Sequence, residues 1–375
     1  MYYKDEFSKE FNEELEFHEY LSEVDERAKW FRVPSTEMEV LTVQGNNSIC
    51  TPIEGEDTEK VLRDTAEHTG LLLKADGNVY QLGSTAITSL LGRARIGGSA
   101  LSDIKKKALA DILNECLKVA KGKALIRYFE GKVRAVLSGD DSDYAIMSMP
   151  EVFMVSSAYV NGDFQDVKFQ KGFADHYSTT AVWEVGDEKL TKAYQELLTQ
   201  YGKKADAKLR AAIRITTSDV GASGANIFYS LIEGGHTIIL GEDLKVMHKN
   251  NKNCKGIEDF TTNMESVFEY YKEVLKKVTR LCDIQINYPA NAMAGVMNKE
   301  GFGKKQIAET VESFKAAFGD QPCSAYEVYC GICEILYLAQ KKGESGRKLL
   351  KLEEKISRCI SKRWLDYDIP GEIKY

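Results

Sequence analysis

From Lys123 to Val155 the chain reads KALIRYFEGKVRAVLSGDDSDYAIMSMPEVFMV, and this stretch restricts the possible folds more than any other. Ala124 to Phe129 and Lys132 to Leu137 alternate apolar with charged or polar residues, the period of a strand with one buried face. Glu130-Gly131 supplies a tight turn between them, so the two runs pair as a hairpin. Ser138 to Asp143 follows as a turn dense in acceptors. Ser148-Met149-Pro150-Glu151 then has the residues of a capping box, with proline in the first helical turn. The unit is hairpin, acidic turn, helix. Arg127 and Arg134 ride on its strands, and at least one face of the hairpin is expected to present guanidinium groups to solvent or ligand.

The rest of the chain adds hairpins and helices around this unit. Met1 to Lys29 is Glu-rich with interspersed Phe7, Phe11, Leu15, Tyr20 and Leu21, the pattern of an amphipathic acidic helix. Such an arm is a solvated helix, a cover for a basic surface on the same protein, or an imitation of nucleic acid offered to a partner. Glu37 to Val43 reads as a strand before the polar loop Gln44 to Ser48. An acidic patch, Glu54 to Glu59, precedes a short helix from Thr58 to Glu67. Leu71 to Leu82 is a hairpin turning at Asp76-Gly77. Helices follow over Thr85 to Leu91 and Ser102 to Ala120. Asn161-Gly162 signals another hairpin turn within Tyr159 to Asp166. Ser178 to Val185 is a strand, Lys189 to Tyr201 a helix, and Lys208 to Thr217 a strand. The strand pattern continues over Ile227 to Ile232 and His236 to Leu240.

Beyond Thr262 the period becomes helical. Thr262 to Glu265 can cap a helix striped by Phe268, Tyr271, Leu275, Val278 and Leu281. Helices are expected over Phe302 to Phe318, over Ser324 to Lys341 behind the capping box Ser324 to Glu327, and over Ser345 to Trp364. The fold class is therefore α+β: an antiparallel, hairpin-rich sheet with packed helices and a helical C-terminal third. The expected division is an acidic N-terminal region (1–60), an α+β core (61–260) and a helical C-terminal region (261–375).

Charge is distributed unevenly. Residues 1–70 carry 18 acids against 7 Lys and Arg, so the net −7 of the whole chain conceals a slightly basic remainder. Between Gly92 and Arg134 there are eleven bases and four acids. Within that run, Gly92-Arg93-Ala94-Arg95-Ile96-Gly97-Gly98-Ser99 is a Gly-rich basic loop ahead of a helix, a candidate phosphate seat. The candidate nucleic-acid contacts are Arg93, Arg95, Lys105, Lys106, Lys107, Arg127 and Arg134 for phosphates, with Tyr128 or Phe129 for base stacking. The last helix, with seven bases and two acids, is a second candidate anion surface. Ser218-Asp219-Val220-Gly221-Ala222-Ser223-Gly224-Ala225-Asn226 is either a tight structural turn or, with Ser218, Asp219 and His236, a small-molecule or phosphate site.

Other chemistry lacks a motif. There is no G-x-x-x-x-G-K-[ST], no G-x-G-x-x-G after a strand, no G-x-S-x-G and no H-E-x-x-H. Cys330 and Cys333 lie one helical turn apart without a matching pair, which suits buried packing better than zinc. Asp140, Asp141 and Asp143 are hard-oxygen groups without the rest of an EF-hand loop. His176 and His236 are lone histidines, better suited to packing or surface roles than to general-base catalysis. No cofactor and no metal is expected. The N-terminal residues lack the basic region and apolar core of a signal peptide and no apolar run approaches the ~18 residues of a membrane span, so a soluble protein of the host cytoplasm is expected, with its eight scattered cysteines as reduced thiols.

Arg134-Ala135-Val136-Leu137-Ser138, behind an arginine-bearing strand and ahead of a turn and helix, resembles the core motif of a phage and plasmid family catalogued as domain of unknown function 932. Leu82 to Leu101 is similar to that family's helix, Leu-Gly and second short helix. Ile213 to Asn226 resembles its strand followed by Ser-Asp/Glu-x-Gly, and Asn287-Tyr288-Pro289 resembles its C-terminal part. This chain has a longer turn, Gly139 to Tyr144, where the family has Asp-Arg-Tyr. The resemblance implies a mobile genetic element as source and carries no catalytic residues. Together these readings favour a non-enzymatic mobile-element protein contacting single-stranded nucleic acid or phosphate backbone. The alternative is a protein-interaction factor that acts on a host defence or replication component through the acidic N-terminal region.

Overall fold

The computed structural model describes residues 2–46, 50–51, 53, 57–204, 208–241, 243–344, 346–373 and 375, with the backbone alone for 267–272. Asn47 and Ser48 of the expected polar loop, Glu54 and Glu56 of the acidic patch, Ser345, and the side chains of Phe268 and Tyr271 lie outside the described residues.

The chain opens with β1 (Ser8–Phe11), α1 (Glu14–Arg27), β2 (Lys29–Pro34) and β3 (Glu39–Thr42). Next come α2 (Thr58–His68), the hairpin β4 (Leu71–Ala75) and β5 (Asn78–Leu82), α3 (Ser84–Ala94), and α4 (Lys106–Lys118). The hairpin β6 (Lys123–Phe129) and β7 (Lys132–Ser138) follows, then α5 (Met149–Asp163), β8 (Gln165–Asp175), β9 (Thr179–Gly186) and α6 (Glu188–Gln200). Strands β10 (Arg210–Thr217), β11 (Ala225–Glu233), β12 (His236–Ile239) and β13 (Leu244–Val246) complete the strand-rich part. The last third holds α7 (Ile257–Glu265), α8 (Val267–Asp283), α9 (Pro289–Lys299), α10 (Lys304–Phe318), α11 (Ala325–Lys341) and α12 (Arg347–Cys359).

This is an α+β fold. Among the described residues the two main sheets run β2-β6-β7-β5-β4-β3, antiparallel except for β5 beside β7, and β1-β8-β9-β10-β11-β12, antiparallel throughout, with β13 also paired to β11. The acidic N-terminal region thus gives strands to both sheets. The turns at Asp76-Gly77 and Glu130-Gly131 have positive φ at both central positions (49° and 73°, 51° and 77°), the geometry that twists two strands into a close hairpin.

Each sheet has its own core. On the smaller one, α3 and α4 press Leu90 and Leu113 onto Leu73, Ile126 and Val133. On the larger one, Trp183, Ile213 and Tyr229 meet α5, α6, α9 and α11 in one extended cluster. Fully buried Ile332 on α11 and Val296 on α9 are each worth about 2 kcal/mol over leaving them in water. Helix α11 begins with the expected reciprocal capping box, Ser324 with Glu327. Among the described residues, no helix is long and apolar enough to cross a membrane.

Several local expectations are corrected. Asn161-Gly162 lies inside α5 rather than in a hairpin turn, because Val152, Phe153, Ser156 and Val160 form a buried helical stripe that carries the helix to Asp163. Ser148 makes no side-chain capping bond to that helix, although Pro150 sits in its first turn. Thr262 to Glu265 belong to α7, and α8 begins beyond Ser266 without a side-chain cap.

Candidate anion-binding crevice and buried charge network

Where the two sheets meet, the strands of the 123–138 hairpin put charge into the interior. Lys132 and Arg134 on β7 are both fully buried. Asp5, from the segment before β1, reaches between them: its Oδ1 accepts from Lys132 Nζ at 2.9 Å and from Arg134 Nη1 at 2.7 Å. Its Oδ2 accepts from the Ser84 amide at 2.7 Å and from the Ser84 hydroxyl at 2.5 Å. Lys132 also pairs with Asp64 on α2, and Arg134 Nη2 donates to the carbonyls of Tyr2 and Tyr3. Burial alone would raise the Asp5 carboxyl, but Arg134 and Lys132 beside it bring it down to about 2. Burial lowers Arg134 to about 10, against the pull of Asp5. On β6, Arg127 pairs with Asp219 from the loop after β10, which ties the two sheets together; burial pushes the Asp219 carboxyl up, although Arg127 opposes the shift.

These contacts correct the hairpin reading. Arg127 and Arg134 are not on a solvent face; they neutralise Asp219 and Asp5 in the interior, and a phosphate cannot reach them without displacing those carboxylates. Tyr128 is half-buried, its ring 5.3 Å from that of Tyr80, and burial raises its hydroxyl to about 12. Phe129 is buried in the main core. Neither ring stands ready to stack a base.

The predicted ligand set Ser218, Asp219 and His236 is also not brought together. Ser218 is buried and its Oγ accepts from the Val220 and Ala222 amides, the bonding of a local turn. His236 lies at the opposite end of β11, its Nδ1 2.9 Å from Glu334. A Cβ at Gly224 would fall 2.3 Å from the Val246 carbonyl oxygen, so the small residues of this loop serve close approach of backbone to backbone.

Among the described residues, one group of metal-type ligands gathers, Asp5, Asp64 and His68, with ligand atoms within 4.8 Å of one another. The Lys132 ammonium already bonds both carboxylates and supplies the positive charge there. The acids after β7 are engaged locally: Asp141 pairs with Arg32, Asp140 accepts from the Ser142 amide, and Asp143 accepts from Ser138. All eight cysteines are free thiols.

A surface crevice opens beside this network, with a volume of about 650 Å³. Helix α3 lines one wall with Thr85, Thr88, Ser89, Arg93 and Arg95; Ser138 of β7, Asp143 and the 220–222 loop line another. Tyr177 and Arg347 close it from the larger sheet and from α12. Arg93 is held in place by bonds to Ser35 Oγ, at 2.7 Å, and to the Lys121 carbonyl. Arg95 is exposed at the left-handed C-cap of α3. Arg347 stacks its guanidinium 3.7 Å from the centre of the Tyr177 ring. The lining thus holds three arginines and one acid, Asp143.

The structure therefore brings together Arg93 and Arg95 of the predicted set and adds Arg347, Tyr177 and Thr88. Lys105, Lys106 and Lys107 are exposed at the start of α4 and do not line the crevice. The predicted phosphate seat is corrected as well: α3 runs on through Arg93 to Ala94, and only a four-residue 3-10 turn, Ser99–Ser102, precedes α4. Arg347 was legible only as one of seven bases on the last helix, and Tyr177 carried no signal of its own.

Comparison with protein-family models, curated proteins and solved structures finds no match to this chain.

Proposed function

We propose that this chain is a non-enzymatic protein of a phage or plasmid element, acting in the host cytoplasm, that holds the phosphate backbone of single-stranded nucleic acid in the crevice. The observation that carries the reading is the convergence of Arg93 and Arg95 from α3 with Arg347 from α12 on one crevice. Guanidinium groups present forked donors that match phosphate oxygens, and three in one crevice with a single acid favour an anion. A crevice of about 650 Å³ has room for a short stretch of strand. The mobile-element source rests on the sequence resemblance of Arg134 to Ser138 and its flanks to the phage and plasmid family alone.

Fluorescence anisotropy of labelled single- and double-stranded DNA and RNA, titrated with the protein across a salt series, tests this. Binding is expected to favour single strands and to weaken linearly in log–log form with salt. Absence of binding at low salt would reject the reading.

A second reading rests on α1. Glu16, Glu19, Glu23 and Glu26 are exposed there beside Leu15, which is 71% exposed. That acidic face with one apolar residue suits a basic protein partner such as a host defence or replication component.

A further inference from the structure

We infer that a cavity between the larger sheet and α12 is a binding site for a small carboxylate-bearing molecule with a single apolar ring. The cavity lies on the sheet face that carries Val182, Ala212, Arg214, Phe228 and Ser230, and Leu349 and Glu353 of α12 cover it. The opposite face, with Trp183 and Ile213, belongs to the main core. Its volume is about 170 Å³, close to the roughly 150 Å³ at which an apolar protein cavity accepts benzene.

One side chain makes this more than a packing gap. Arg214 is in register with Val182 on one side and Phe228 on the other, and is 5% exposed. Its guanidinium stacks 3.7 Å from the centre of the Phe228 ring, Nη1 donates to Thr216 Oγ1 at 3.0 Å, and Nε lies 2.5 Å from Glu353 Oε2. Nη2 is buried and has no hydrogen-bond partner among the described residues. A buried charged donor is ordinarily satisfied, and one that lines an apolar cavity points to an acceptor brought by a ligand.

The open donor selects the ligand. Arg214 pairs with Glu353 and Lys171 with Glu10, so both bases of the lining have a carboxylate partner and what remains unmet is the Nη2 hydrogen bond. A carboxylate on Arg214 Nη2 supplies that acceptor, while its ring fills the space among Val182, Ala212, Phe228 and Leu349. This site is separate from the crevice and stands independently of the function proposed for it.

Isothermal titration of the full chain with benzoate and with toluene, its apolar counterpart of similar shape, tests the assignment. Benzoate is expected to bind at least about tenfold more tightly than toluene, as a charge-assisted hydrogen bond in an enclosed site requires. Ala212→Leu fills the cavity and should weaken benzoate by at least about tenfold while the circular dichroism of the protein is kept. The double replacement Arg214→Met with Glu353→Leu removes the ion pair as a unit and should abolish the preference for benzoate while leaving toluene binding in place. Equal affinities for the two probes in the unaltered protein, no benzoate binding at millimolar concentration, or undiminished benzoate binding in folded Ala212→Leu would each overturn the proposal.

Discussion

Replacing Asp5 with Asn is expected to destabilise the protein by roughly 3–5 kcal/mol, measured as a lower midpoint in urea, because it strips the shared counter-charge from two fully buried bases. Lys132 keeps Asp64, but among the described residues Arg134 keeps hydrogen bonds to the Tyr2 and Tyr3 carbonyls alone. Glu6→Gln, one residue on, removes a carboxylate that is 88% exposed and should change stability by under about 0.5 kcal/mol. The same network sets an acid limit. Asp5 is held at about 2 in the folded protein, so its contribution is complete above the unfolded carboxylate value and is lost as pH falls through the folded one. That loss amounts to about 2 kcal/mol between roughly pH 4 and 2. His248 acts earlier. Burial lowers it to about 4, so the unfolded chain gains a proton there first, and about 3 kcal/mol disappears as pH falls from 6.5 to 4. Asp219, raised by burial, has the opposite sign and blunts the acid loss. A stability maximum at neutral pH with a steep acid side is the expected profile, and a flat profile down to pH 4 would contradict it.

The second large effect concerns the crevice. Arg95→Glu with Arg347→Glu should weaken single-stranded nucleic-acid binding by more than about tenfold at low salt and flatten the salt slope by about two charges. Arg95 is exposed and Arg347 rests on Tyr177, so neither anchors the fold as Arg93 does through Ser35 and Lys121. Lys105→Glu should act more weakly, because that residue lies outside the crevice and reaches a bound strand only through the longer-range field. Unchanged anisotropy for the double variant, with the protein folded, would remove these two arginines from the proposed contact.

The contrast between Arg95 and Arg134 shows what sequence could and could not yield. Alternation along β6 and β7 made the hairpin legible, and Asp76-Gly77 and Glu130-Gly131 marked their turns, because both signals are local. Which face of the hairpin is buried depends on Asp5 and Asp219, the first 129 residues from Arg134 in the chain. No local pattern reports a counter-ion at that distance, and a basic strand reads as a ligand surface until its partner is seen. Asn161-Gly162 misled for the converse reason: a strong turn dipeptide was overridden by the buried stripe of α5. Strand β2 (Lys29–Pro34) lacks clean alternation and is fixed by its pairing with β6. Within the crevice, Arg93 and Arg95 were legible as charge next to glycine, whereas Arg347 joins them only through the packing of α12 against the larger sheet.

Hydrogen-exchange protection on binding a short single-stranded oligonucleotide tests the central claim most directly. Protection centred on residues 88–95, 220–222 and 347, which line the crevice, is the result the proposal predicts. Binding that leaves those segments unprotected would contradict it, and so would protection confined to α1 when the protein meets a basic partner, with no response to the oligonucleotide.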